Sequence, residues 1–136
     1  MKMVMKMLAS IALLIMVVAC ATTNAPNTLP SKYNLDNDLN AVSRISAVRA
    51  SNWEQVDNQS VICTANGAYY LFVLDKPLEE INQKIGFLAN NSSVLAGSSK
   101  IYVGSSSDKR FYTIEKIYKL NGPDQIREVT DQLSKS

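Results

Sequence analysis

The stretch that decides the fold is residues 61–74, VICTANGAYYLFVL, because it contains a complete β-hairpin. Two apolar runs, rich in β-branched and aromatic residues, flank Asn66-Gly67. This dipeptide suits a type I′ turn, since both central residues of that turn need positive φ. The turn sets a register of facing residues: Ala65 with Ala68, Cys63 with Tyr70, and Val61 with Phe72.

Both faces of this hairpin are apolar. One face carries Val61, Cys63, Tyr70, Phe72 and Leu74, and the other carries Ile62, Tyr69, Leu71 and Val73. A strand pair with two apolar faces needs cover on both sides, as central strands have. We therefore predict that the hairpin lies in the middle of a sheet.

Downstream of this hairpin the sequence predicts a second hairpin and a last helix. The hairpin joins Lys100–Gly104 to Arg110–Leu120. Pro123 then opens a helix, and its apolar residues share one face: Ile126, Val129 and Leu133.

Between the two hairpins the signals are shorter. Pro77–Ile85 is predicted to be a helix that Gly86 ends, because proline suits a first helical turn. Phe87–Ala89 and Ser93–Ala96 are predicted to be short strands around an Asn90-Asn91 turn.

Upstream of the first hairpin, Leu35, Leu39 and Val42 have helical spacing, which predicts a short helix near residues 35–42. From Ser43 the pattern changes to strands, and a turn follows at Asp57-Asn58.

These elements predict an α+β fold that is mainly β. We expect a small antiparallel sheet of five or six strands, curled or barrel-like, with a C-terminal helix over an open edge or end. A two-layer arrangement of a sheet and helices is the alternative.

The N-terminus has the pattern of a secretory signal: a basic lead with Lys2 and Lys6, then an apolar run that ends in Val17-Val18-Ala19-Cys20. The run is shorter than the roughly 20 residues that a membrane-spanning helix needs. Its last four residues resemble the bacterial lipobox, which implies cleavage between Ala19 and Cys20 and lipidation of the Cys20 thiol. An ordinary secretory signal or an uncleaved membrane helix is the alternative.

The resulting domain prediction has three parts: a lipoprotein signal peptide over residues 1–19, a lipidated N-terminus and flexible tether over 20–40, and a single globular β-rich domain over 41–136. The lipobox resemblance also implies a location. Ala21, rather than an aspartate, follows Cys20, which favours the periplasmic face of the outer membrane.

Charge and cysteine content exclude several classes of protein. Loss of the signal removes two of the fourteen basic residues and leaves twelve basic and twelve acidic ones, so nucleic-acid binding is not expected. Once Cys20 carries lipid, Cys63 has no partner for an intramolecular disulfide. Its apolar neighbours predict a small buried side chain.

Residues from Ile45 to Leu120 carry a family resemblance. The features are Trp53 with Val56-Asp57, the strand Tyr70–Leu74, and a closing strand with Ile114, Ile117 and Leu120. They resemble a family of small proteobacterial lipoproteins known only as a domain of unknown function. That family often carries a cysteine pair, where this chain has Lys76-Pro77 and Tyr112-Thr113. The resemblance implies an envelope location and a β-rich shape, and no activity.

The sequence shows no catalytic, cofactor or metal motif. The chain contains no histidine, which excludes Ser-His-Asp and Cys-His arrangements and the usual zinc spacings. Gly-rich phosphate loops are also missing. We therefore predict that the protein is not an enzyme and binds neither cofactor nor metal.

Aromatic residues on the predicted strands give the only indication of a binding surface: Trp53, Tyr69, Tyr102 and Tyr112. Exposed on one face, such residues stack on sugars or contact protein partners, whereas in the core they provide packing. We predict a non-enzymatic accessory lipoprotein, anchored in the membrane by its lipid, that binds an envelope protein. The alternative is a module that binds envelope glycan or inhibits a lysozyme-type hydrolase.

Overall fold

In a computed structural model, the described residues form a curled antiparallel sheet in the shape of a half-barrel, a small two-stranded sheet and a C-terminal helix. The structure describes residues 29–46, 48–78, 84–87, 93–105 and 107–135. The strands are β1 (Asn40–Val42), β2 (Arg44–Ser46), β3 (Ala50–Asp57), β4 (Ser60–Ala65), β5 (Ala68–Leu74), β6 (Ile85–Phe87), β7 (Ser93–Leu95), β8 (Lys100–Ser105) and β9 (Asp108–Leu120); the helix is α1 (Pro123–Ser134). A short 3₁₀ helix, Ser31–Tyr33, precedes them. The predicted mainly-β fold class is confirmed.

The strands follow the order β3-β4-β5-β9-β8-β6, and β1 also pairs with β9. The long strand β9 organises this sheet, because its C-terminal half pairs with β5 and its N-terminal half pairs with β8. Strands β2 and β7 form a separate two-stranded sheet.

The central hairpin has the predicted register, in which Val61 faces Phe72 and Ala65 faces Ala68. Asn66 and Gly67 adopt φ values of 55° and 77°, as a type I′ turn requires. The second hairpin, β8–β9, and helix α1 are also confirmed.

The inner, concave face of the half-barrel holds the first core, which includes Val61, Cys63, Phe72, Leu74, Ile101, Tyr112 and Ile114. Trp53 on β3 and Phe87 on β6, at the two ends of the strand order, have ring centroids 5.2 Å apart. The centroid of the Phe72 ring lies 5.9 Å from that of Trp53 and 6.0 Å from that of Phe87. Aromatic side chains therefore bridge the two ends of the curled sheet.

The outer, convex face holds the second core, in which Ile62, Leu71 and Val73 pack beneath α1 and the N-terminal segment. Val129 and Leu133 bury the predicted face of the helix. The hairpin is thus covered on both sides, as its two apolar faces predicted.

The predicted helix near residues 35–42 is wrong. Only a single turn forms, in which the Leu39 amide donates to the Leu35 carbonyl at 2.8 Å, and strand β1 begins at Asn40. Leu35 and Leu39 are buried in the second core together with Tyr33, which is fully buried. The packed part of the chain therefore begins inside the predicted 20–40 tether. Cross-strand pairing with β9 outweighs the local helical spacing.

The region between the hairpins also differs from the prediction. Ile85 and Gly86 lie in strand β6, so neither a helix through Ile85 nor its end at Gly86 is correct; residues 79–83 lie outside the described ranges. Strands β6 and β7 do not pair with each other, since their partners are β8 and β2. The Asn90-Asn91 turn lies outside the described residues. No helix in the described ranges is long and apolar enough to cross a membrane.

Candidate functional site

A groove of about 410 Å³ lies where β9 changes partners, beside the short strand β1. Val73 pairs with Lys116 and Leu74 pairs with Ile114, so Glu115 is an extra residue on β9. Such a β-bulge bends a strand and redirects its side chains, and bulges are frequent beside functional sites. The bulge shifts the alternation of β9, so even-numbered residues such as Ile114 face inward before it and odd-numbered residues such as Ile117 face inward after it.

The groove has an apolar wall and a charged rim. Its wall is formed by Ala41, Val42, Ala96 and Ile117. Its rim carries Asp36, Glu115 and Lys116. An apolar wall with a few charged groups is the usual composition of a ligand-binding cleft, and the volume lies in the usual range of about 300–1,000 Å³.

Tyr118 ties the rim to the N-terminal segment. Its hydroxyl donates to Asp36 Oδ1 at 2.8 Å and accepts from the Leu35 backbone N–H at 3.1 Å. Lys116 Nζ lies 3.4 Å from Asp36 Oδ2. The residues from Leu35 to Asp36 are therefore fixed on β9 by side-chain contacts.

These contacts set the charges of the rim. The hydrogen bond from the Tyr118 hydroxyl lowers the pKa of the exposed Asp36, and the positive charge of Lys116 lowers it further. Partial burial opposes the charge on Lys116, but its interactions with Tyr118 and Asp36 outweigh burial and raise its pKa. Burial also raises the pKa of Tyr118. At neutral pH the rim is an ion pair beside a protonated phenol, which can orient a polar ligand but offers no free base on Tyr118.

The four aromatic residues predicted as one binding surface lie on two different faces. Trp53 and Tyr112 belong to the inner core, where Tyr112 is almost fully buried. Tyr69 packs against the outer core, and Tyr102 lies on the outer side of β8. Alternation along each strand, together with the β9 bulge, separates them. The structure therefore does not bring these residues together as a shared surface.

The model of a family of unknown function, DUF6491, matches residues 3–136. The chain belongs to this family. The match confirms the resemblance to a domain of unknown function and extends it from the segment Ile45–Leu120 to nearly the whole chain. No curated protein and no solved structure matches the chain significantly.

Of the two cysteines of this DUF6491 chain, the described residues include Cys63 and not Cys20. Cys63 is buried in the inner core, and burial raises its thiol pKa to about 12, so it is the predicted small apolar side chain and a poor nucleophile. Ala19 and Cys20 lie outside the described residues. Within the described ranges, no three His, Cys, Asp or Glu side chains are grouped as metal ligands are.

Phe111 of this DUF6491 chain was not among the predicted surface residues, yet it is 41% exposed on the outer side of β9. It pairs across the strands with Tyr102. Adjacent residues of a strand face opposite sides of the sheet, so the pair Phe111-Tyr112 indicates in the sequence that one of the two aromatic rings is exposed when the other is buried. Phe111 and Leu95, which is 42% exposed, are the exposed large apolar residues of the described part of the chain, and Phe111 is the one that pairs with a tyrosine.

Proposed function

We propose that this DUF6491 protein is a lipid-anchored protein of the bacterial envelope that acts by binding another envelope protein and not by catalysis. Its place is the periplasmic face of the outer membrane. The observation that carries the proposal is the apolar run that follows Lys2 and Lys6 and closes on Val17-Val18-Ala19-Cys20.

The physical support for the anchor is the position and type of residue 20. A cysteine directly after a small residue at the end of a signal-like run supplies the thiol that a diacylglycerol modifies. Two or three acyl chains hold a protein stably at about 0.8 kcal/mol per buried CH₂, whereas a single chain holds it only marginally. Cys63 is not an alternative attachment site, because its side chain is buried in the core.

The support for partner binding is the groove beside the β9 bulge. Its wall of Val42 and Ile117 suits an apolar side chain of a partner, and its Asp36–Lys116 rim suits polar groups around it. Interfaces combine an apolar centre with a polar rim in this way. Glycan binding or inhibition of a lysozyme-type hydrolase is the alternative, and the apolar wall of the groove is the reason that we favour a protein partner.

The support for a non-catalytic role is that the nucleophiles of the described core and groove are not activated. The chain has no histidine, and the Cys63 thiol is both buried and raised in pKa. In the groove, the Tyr118 hydroxyl is engaged by Leu35 and Asp36.

Lipidation is tested by growing cells with an alkyne fatty acid and detecting label on the protein. We expect label on the unmodified protein and on Cys63→Ala, and none on Cys20→Ala. The Cys63 variant is the matched control, since it removes the other cysteine. Label that persists on Cys20→Ala, or membrane retention of that variant without detergent, refutes the anchor.

Partner binding is tested with a photo-crosslinking side chain at Ala41, which is exposed in the groove wall. Asp131, exposed on α1, is the control position. We expect a discrete crosslinked envelope protein from position 41 that is lost when Lys116 is replaced by Glu. Equal crosslinking from positions 41 and 131 refutes the groove as the binding site.

A further inference from the structure

A second surface of the molecule, on the outer side of strands β6, β8 and β9, combines lysines with aromatic rings. Strand pairing places Gly86, Tyr102 and Phe111 in one row across the three strands. Because side chains alternate along a strand, Lys100 and Lys109 lie on the same side of the sheet as this row. Lys84 directly precedes β6 and extends this side, and its backbone carbonyl accepts a hydrogen bond from the Gly104 N–H. We call Lys84, Lys100, Tyr102, Lys109 and Phe111 the lysine–aromatic face.

On this face the tyrosine ring lies directly over a glycine. A Cβ added at Gly86 meets the Tyr102 hydroxyl at 2.6 Å, so the Tyr102 ring rests directly on the backbone of β6. On this face the Lys109 ammonium lies 4.4 Å from the centre of the ring. Tyr102 is therefore held in place, and Phe111 is the aromatic group left to contact an occupant.

The charge of the face is one-sided. It carries three lysines, and no acidic residue occupies the same side of the described residues of β6, of β8 or of the part of β9 that pairs with β8, residues 108–113. Glu115, the bulged residue of β9, follows that part of the strand. The neighbouring Asp75 is engaged at the edge, where its Oδ1 accepts from the Thr113 backbone N–H at 3.0 Å. The chain that follows residue 19 has equal numbers of acidic and basic residues, so this concentration of positive charge is local. An anionic occupant complements it.

We propose that the lysine–aromatic face docks on anionic lipid headgroups and lays the domain on the membrane that holds its anchor. This proposal rests on the proposed lipidation of Cys20. Leu29, the first described residue, is nine positions after Cys20, so the tether reaches at most about 30 Å and keeps the domain near the headgroups. Aromatic rings and lysines are the side chains that occupy the interface between lipid and water, and anionic leaflets attract nearby lysines.

The test is a lysine footprint of the full lipidated protein in vesicles. One set of vesicles contains phosphatidylcholine alone, and the other contains 30% phosphatidylglycerol. Acetylation of each lysine is measured by mass spectrometry. We expect acetylation of Lys84, Lys100 and Lys109 to fall at least threefold on the anionic vesicles and to recover in 0.5 M salt, since salt screens exposed charges. Lys119, exposed on the inner side of β9, is the internal control.

A double variant, Lys109→Glu with Phe111→Ser, changes only exposed residues and is expected to abolish the protection while its thermal unfolding stays that of the parent. Equal acetylation on the two vesicle types overturns the proposal. Protection that arises only after acidic envelope proteins are added also overturns it and assigns the face to a protein partner. Failure of the anchor gives a different result, because the protein then does not float with the vesicles of phosphatidylcholine alone.

Discussion

Replacement of Asp57 by alanine is expected to destabilise the fold strongly, because this carboxylate joins the N-terminal segment to the β3–β4 turn. It accepts hydrogen bonds from the hydroxyls of Tyr33 at 2.7 Å and Ser60 at 2.6 Å, and from the Gln59 backbone N–H at 2.9 Å. Lys32 Nζ lies 2.9 Å away, and the Asp57 side chain is only 8% exposed.

The magnitude follows from the donors that the substitution leaves unpaired. Tyr33 and Ser60 are both fully buried, so water cannot replace the lost acceptor without a rearrangement. An orphaned buried donor costs about 1–3 kcal/mol. Two such hydroxyls and the lost partner of Lys32 give an expected loss of about 3–5 kcal/mol in the free energy of unfolding, the range seen when one partner of a buried pair is removed.

The assay is urea denaturation followed by fluorescence of Trp53, the single tryptophan, which packs against Phe72 and Phe87. Asp124→Ala is the matched control. Asp124 is almost fully exposed and lies 3.7 Å from Arg127, so its loss is expected to cost less than about 1 kcal/mol.

A double variant isolates the buried hydroxyl. Tyr33→Phe removes one of the orphaned donors, so adding it to Asp57→Ala is expected to recover about 1 kcal/mol or more, although the same change destabilises the parent. If Asp57→Ala costs no more than Asp124→Ala, or if Tyr33→Phe destabilises both backgrounds equally, the reasoning is refuted.

The same network predicts a dependence on pH. Burial opposes the charge of Asp57, but the hydrogen bonds from Ser60, Lys32, Tyr33 and Gln59 outweigh burial and lower its pKa below the usual value. Because the pKa of Asp57 is lower in the folded state, its stabilising effect is complete above the unfolded-state pKa of about 4. This effect is lost as the pH falls through the folded-state pKa. We expect the stability difference between the parent and Asp57→Asn to shrink below about pH 4.

Three further outcomes test the core and the hairpin. Phe72→Ala is expected to lower the free energy of unfolding by about 3–5 kcal/mol, because Phe72 is fully buried. Phe111→Ala, at an exposed position, is expected to change it by less than about 0.5 kcal/mol. Equal losses of stability in the two variants contradict the placement of the core. Gly67→Ala is expected to cost about 1–2 kcal/mol because Gly67 has φ of 77°, and an unchanged urea midpoint argues against the type I′ turn. Cys63 is expected to resist iodoacetamide at pH 8 in the folded protein and to react in urea, so fast labelling of the native state contradicts its burial.

Part of the fold was predictable because it depends on residues that are close in the chain. The Asn66-Gly67 turn fixes the pairing of its own flanks, and the face that Val129 and Leu133 share fixes how α1 packs. The segment 35–42 could not be predicted in this way. Its apolar spacing fits a helical turn, yet pairing of β1 with a strand about eighty residues away decides its conformation.

The candidate site was less predictable than the fold. The groove exists because Glu115 forms a bulge and because Asp36 is fixed against Tyr118, and neither contact has a local signal in the sequence. The predicted aromatic surface was divided for the same reason, since the face that each strand residue occupies depends on register and on bulges.

The sequence by itself determined the central hairpin, its two apolar faces, the second hairpin and the last helix, because turn chemistry and periodicity act over a few residues. It also contains the lipobox-like run ending at Cys20 on which the proposed anchor rests. Only the tertiary structure decided that β9 joins β5, β8 and β1, that Trp53 and Phe87 bridge the ends of the half-barrel, and that lysines and aromatic rings gather on one outer face. These features join residues far apart in sequence, and global packing fixes their neighbours where local propensity cannot.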